Sequence, residues 1–105
     1  MGKIRAIIFD LDGTLVESQP SWRFAEEKLF KRCGHHYDPE LARRLGVEPG
    51  RALVIEDAEH GLTAARKAGM KCFAVGELDF ERKAALADRA FWSLAEIKPE
   101  MIEAL

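Results

Sequence analysis

Cysteine is scarce in this chain, with two in 105 residues, and Cys33 and Cys72 share neither a metal-ligand spacing nor a secretory context. This excludes a disulfide scaffold and a zinc ribbon and leaves both thiols as reduced packing residues. Nowhere do apolar residues run for the roughly 18 positions that a membrane span needs. The amino terminus lacks the charged, apolar and small-residue order of a signal peptide, so a cytoplasmic location is expected. Neither sign of charge dominates: 16 Lys and Arg stand against 18 Asp and Glu, for a net charge of -2. The basic residues are scattered, which argues against nucleic acid or a membrane as the main partner. Repeats, low-complexity tracts and linkers are absent. A chain of this length buries roughly 65% of its unfolded surface, enough for one core and not two, so residues 1–105 read as a single domain.

The most informative feature present is Asp10-Leu11-Asp12-Gly13-Thr14, directly behind the apolar run Ile4 to Phe9. A buried strand ending in two carboxylates two residues apart brings both toward one side, because strand side chains alternate faces. Carboxylates so close repel unless a hard cation neutralises them. Mg²⁺ favours one or two carboxylates together with waters and phosphate oxygens. The intervening main-chain N–H groups of Leu11 and Asp12 point at whatever sits between the carboxylates.

A second site repeats the pattern. Leu53-Val54-Ile55 is an apolar strand that runs into Glu56-Asp57, followed by a helical stretch over His60 to Ala68, a glycine stop at Gly69, and another apolar run, Cys72 to Val75. Strand, acids, helix and strand make a βαβ unit with parallel strands and a right-handed crossover. Ligands of such sheets gather at the carboxyl ends of the strands, where both acidic pairs lie and can share one cation.

The remaining elements are read from local signals. The first strand covers about Lys3 to Phe9. A helix capped by Ser18 or Ser21 runs to Cys33, with Trp22, Ala25, Leu29 and Cys33 at helical spacing. Asp38 and Pro39 open a short helix that ends at Leu45-Gly46, and Val47 to Arg51 is a turn. Gly61, Ala64, Ala65 and Ala68 make a small-residue face for packing on the sheet. Phe80 to Ala87 is a further helix, Ala90 to Trp92 a short last strand, Ser93 to Glu96 a capping box, and Pro99 starts the terminal helix.

The string Phe9-Asp10-Leu11-Asp12-Gly13-Thr14-Leu15-Val16-Glu17-Ser18 resembles the nucleophile motif of the haloacid dehalogenase superfamily. Leu53 to Val75 resembles its acidic fourth motif, in the form found in the beta-phosphoglucomutase-like and phosphoglycolate-phosphatase-like branch. The resemblance implies an α/β fold: a reduced Rossmann-like core with a short parallel sheet flanked by helices, and a helical cap piece remaining at about residues 19–45. It implies Asp10 as nucleophile, Asp12 as general acid and base, and Thr14 as the residue that orients Asp12. Phosphate would be held at Leu11, Asp12 and Gly13. A Mg²⁺ ion would be held by Asp10, Asp12 and Asp57, with Glu56 as a further ligand. The family places a long segment between the two motifs, with most of the cap, two core strands, a phosphate-binding Ser or Thr and a Lys; here that middle is missing. An internal deletion joined at a repeated word like Ala42-Arg43-Arg44-Leu45 would account for it. Lys28, Lys31, Arg32, His35 and His36 are the candidate replacements for the missing cation.

The implied activity is phosphomonoester hydrolysis through an aspartyl phosphate, with broad specificity for small phosphorylated metabolites. Three alternatives stay open: a catalytically inactive remnant persisting as a self-associating module, a signalling receiver that only accepts phosphate on an Asp, and a phosphomutase-like enzyme. Mutase chemistry must shelter its intermediate from water, and most of the lid is missing. With two core strands lost, one flank of the first strand would be bare. An unpaired apolar edge is a template for a second copy, so a homodimer or higher homo-oligomer is expected, through that edge and the face of the cap helix.

Overall fold

A computed structural model of the chain describes residues 4–10, 29–32, 43–44 and 46–105. Among the described residues, five parallel strands form one sheet, in the spatial order β2-β1-β3-β4-β5. They are β1 (Ala6–Asp10), β2 (Leu29–Arg32), β3 (Ala52–Glu56), β4 (Lys71–Val75) and β5 (Arg89–Phe91). Among the described residues, the α-helices that connect or follow them are α1 (Glu59–Lys67), α2 (Phe80–Leu86) and α3 (Pro99–Glu103). The α/β class and the parallel sheet flanked by helices agree with a reduced Rossmann-like core.

The two-residue period of the strands divides the core into two layers. On one face Ile7, Phe9, Leu53, Ile55, Phe73, Val75 and Phe91 pack with Leu94, Ile97 and Ile102 from the carboxyl-terminal segment. On the other, Ile8, Ala52, Val54, Cys72 and Ala74 meet Leu62 and Ala65 of α1 and Ala68 just after it. All of β3 is buried, as expected of a central parallel strand covered on both sides. The alanines of α1 let its axis come close to the sheet.

Helix α1 stops where the sequence signals a stop. Gly69 takes φ +81, its N–H donates to Arg66 O, and the Met70 N–H donates to Ala65 O, both at 3.0 Å. This paired closure of the last carbonyls turns the chain straight into β4. Ser93 and Glu96 form the expected capping box around a 3₁₀ turn, Leu94–Glu96. Glu96 Oε1 accepts the Trp92 N–H at 2.6 Å and the Ser93 N–H at 3.3 Å. Pro99 opens α3.

Several expectations are corrected. Leu29–Arg32 is a strand and not the end of a helix reaching Cys33. It pairs in parallel with β1, Ala6 opposite Leu29 through Phe9 opposite Arg32. Helical spacing in this stretch competes with the row of main-chain donors and acceptors along β1, and pairing satisfies both strands at once. The flank of β1 expected to be bare is therefore covered. β1 also runs one residue further than expected and includes Asp10. Pro49–Arg51 is a 3₁₀ turn, and the last strand is Arg89–Phe91. Trp92 lies beyond that strand and stacks on Phe80, with ring centroids 5.0 Å apart. Of the short helix expected from Asp38 to Leu45, only Arg43 and Arg44 are described, and they are helical. The other residues of the cap piece lie outside the described residues.

Candidate functional site at the carboxyl edge of the sheet

From β1 the chain crosses to one side to make β2 and returns to the other side to make β3. The carboxyl ends of β1 and β3 therefore flank the point where strand order reverses, the position at which open parallel sheets bind ligands. Both acidic sequences arrive there. Asp10, the last residue of β1, is in register with Glu56, the last residue of β3, so their main chains are about 4.8 Å apart. Asp12, Thr14, Leu11 and Gly13 lie outside the described residues, as do the side chain of Asp10 and the candidate cations Lys28, His35 and His36. Lys31 and Arg32 are placed on β2 by their main chain.

Glu56 and Asp57 are adjacent in sequence and differ in environment. Glu56 is fully buried. Its Oε1 accepts the main-chain N–H groups of Asp57 and Ala58, each at 3.1 Å. A carboxylate so placed fixes the turn out of β3 and puts negative charge before the amino end of α1, where the helix dipole favours it. The Glu56 side chain lies so close to Gly61 that a β-carbon there would overlap it. Gly61 thus serves more than close helix packing, because it leaves room for this carboxylate. Asp57 is partly buried, and among the described residues its enclosed Oδ1 has no hydrogen-bond partner. An orphaned carboxylate oxygen is costly unless a cation or donor meets it, so the donor chemistry at Asp57 fits a hard divalent ion. Among the described residues no group of three or more His, Cys, Asp or Glu side chains is arranged to hold a metal. The Asp10–Asp12 carboxylates fall outside that set.

Lys83 had no signal in the sequence. It lies on α2, is 3% exposed, and donates from Nζ to Val75 O at 2.8 Å and to Asp57 O at 3.3 Å. The ammonium thus bridges the carboxyl ends of β4 and β3. Gly76, at φ +107, makes the approach possible, since a β-carbon there would sit 3.0 Å from Nζ. Exposed Arg82, next on the helix, pairs with Glu59 at the start of α1, at 3.0 Å.

Cys72, a further nucleophile-type side chain, is the second residue of β4, toward the end opposite this edge. Burial first, and the neighbouring Asp88 carboxylate second, push its thiol up to about 11. The Asp88 carboxylate accepts the Cys72 N–H at 2.8 Å. It is a packing residue, as the sequence implied.

A parallel α/β core with acids on both strands beside the strand-order reversal is consistent with a reduced Rossmann-like core of the haloacid dehalogenase type. Comparison with known proteins agrees: the 6-phosphogluconate phosphatase of Escherichia coli (strain K12) is 38% identical to this chain over 68 residues, covering 63% of this chain and 31% of the relative. This match supports membership of the haloacid dehalogenase superfamily, with the chain spanning about a third of that relative's length. No family model and no solved structure matches. No described helix is long and apolar enough to cross a membrane.

Proposed function

We propose that the chain is a Mg²⁺-dependent phosphomonoester hydrolase acting through an aspartyl phosphate on Asp10, with broad specificity for small phosphorylated metabolites. One observation carries this reading: Asp10 is in main-chain register with Glu56 at the strand-order reversal, and the next residue, Asp57, has a buried oxygen without a partner among the described residues. The phosphatase activity named for the relative supports it.

In the proposed reaction an Asp10 oxygen attacks phosphorus in line, the bond to the leaving oxygen breaks, and Asp12 gives its proton to the departing alkoxide. Asp12 then takes a proton from the water whose oxygen attacks the phosphorus of the acyl phosphate; orthophosphate leaves, Asp10 returns as a carboxylate and Asp12 as the protonated acid. Thr14 orients Asp12, and the N–H groups of Leu11, Asp12 and Gly13 hold the non-bridging oxygens. Asp10, Asp12 and Asp57 are the proposed ligands of Mg²⁺, which would neutralise charge on the phosphoryl group. Glu56, with one oxygen engaged by two N–H groups, contributes by holding Asp57 in place.

The test is hydrolysis of para-nitrophenyl phosphate with Mg²⁺ by the parent protein and by Asp10→Asn. Turnover in the parent and its loss in the variant are expected; equal rates would remove Asp10 as nucleophile. An inactive, self-associating remnant is the second reading, favoured by the short span of the relative that the chain covers, and absence of turnover in the parent would select it. Self-association remains a proposal without the bare flank of β1, which β2 covers, and sedimentation velocity showing only monomer would end it.

A further inference from the structure

We infer that the Lys83 ammonium is the fixed positive charge that receives the phosphoryl anion at this edge of the sheet. The inference rests on the phosphate-binding reading above. Lysine is rarely buried without an anionic partner, and a charge taken out of water needs compensation. Lys83 receives two main-chain carbonyls, Val75 O and Asp57 O. Among the described residues no carboxylate forms an ion pair with it; the ion pairs seen nearby belong to Arg82, with Glu59 and Asp79. An ammonium has three hydrogens, so one is left after the two carbonyls are served. The carbonyls orient it without neutralising it.

Its position directs that charge. Asp57 O belongs to the residue after Glu56, and Glu56 is the register partner of Asp10. The ammonium therefore lies at the same strand ends as the proposed nucleophile. It is held by a short helix and by the absence of a side chain at Gly76. Lysine serves phosphate as a point charge, without the planar fork of arginine. A buried ammonium with one uncommitted hydrogen suits a tetrahedral, dianionic ligand.

Binding, and not turnover, tests this. Orthophosphate affinity is measured by calorimetry and Mn²⁺ affinity by electron paramagnetic resonance, for the parent, Lys83→Met and Lys83→Arg. Loss of one charge-assisted contact is expected to weaken orthophosphate binding by about tenfold or more in Lys83→Met. Mn²⁺ binding should stay unchanged or tighten, because a like charge has left the neighbourhood of the cation. A merely structural lysine would weaken both ligands together, and that result overturns the inference. So does orthophosphate affinity equal to that of the parent. Lys83→Arg keeps the charge and should retain most of the phosphate affinity. Should Lys83→Met fail to fold, the unaltered protein labelled with ¹⁵N-lysine supplies the answer: the Lys83 Nζ resonance moves on addition of orthophosphate and not of equal chloride, and an unmoved resonance sinks the idea. Lys83-dependent phosphate binding without turnover would overturn the phosphatase reading alone. Turnover with phosphate affinity indifferent to Lys83 would overturn this inference alone.

Discussion

The Glu56 side chain fills the space that a β-carbon on Gly61 would need. One residue lies at the end of a buried strand and the other in the first turn of the following helix, and the turn between them carries Asp57. A methyl group at position 61 must push the carboxylate away from the N–H groups of Asp57 and Ala58. Gly61→Ala is expected to destabilise the fold by about 1–3 kcal/mol, the usual range for overpacking. In urea denaturation, adding Glu56→Asp should recover part of that loss, because a shorter carboxylate retreats from the new methyl. Additive losses in the double variant would show that the two residues are not coupled.

Asp57→Asn keeps the shape of the side chain and removes its charge. If its buried Oδ1 helps hold the cation, Mg²⁺-dependent turnover should fall by about 10² or more, while the thermal midpoint changes little, as for other single electrostatic stabilisers. Raising Mg²⁺ should recover part of the rate. A variant with parental rate and parental Mg²⁺ dependence would take Asp57 out of the site.

Cys72 links stability to alkaline pH. Its thiol ionises at about 11 in the folded chain against an ordinary 9.0, chiefly through burial. The folded state thus holds the proton more tightly than the unfolded state. The full contribution is present below the unfolded value and is lost as pH rises through the folded one. Between those values roughly 2–3 kcal/mol should disappear. Other groups titrate in the same range, so the measurement is the difference between the parent and Cys72→Ala in denaturant midpoint, which should narrow as the pH rises. A constant difference across the window would refute the assignment.

The Arg82–Glu59 pair joins the starts of α2 and α1 at 3.0 Å, with side chains 71% and 32% exposed. Water and salt screen such a pair, and Arg82→Ala should cost less than about 1 kcal/mol. A larger loss in chemical denaturation would mean that Arg82 also sets the position of its neighbour Lys83.

Where local pattern and tertiary demand coincide, the chain could be read without coordinates. β3, α1 and β4 are such a case: the strands alternate between two apolar layers, the helix has alanines on its sheet-facing side, and Gly69 ends it. The capping box at Ser93–Glu96 and the start of α3 at Pro99 depend on neighbours a few residues away, and they fall where expected. The acids at the ends of β1 and β3 were also legible, since an acidic pair after an apolar strand is a local signal.

Other features depend on residues distant in sequence. Nothing within Leu29–Arg32 says that β1 will offer it a row of unpaired N–H and C=O groups, so its helical spacing was misleading. Lys83 reads as an exposed helix position. Only the docking of α2 against the sheet, beside a glycine with no side chain, turns its ammonium toward the ends of β3 and β4.

By itself the sequence determined the α/β class, the parallel βαβ unit and the acids at two strand ends, because periodicity and short motifs act over a few residues. Tertiary structure alone decided that β2 covers β1, that Glu56 turns inward against Gly61 while Asp57 keeps an oxygen unpartnered among the described residues, and that a lysine is buried beside them. Those outcomes depend on which main-chain and side-chain groups meet after the sheet has closed, and the removal of water at that point sets the partner each polar group requires.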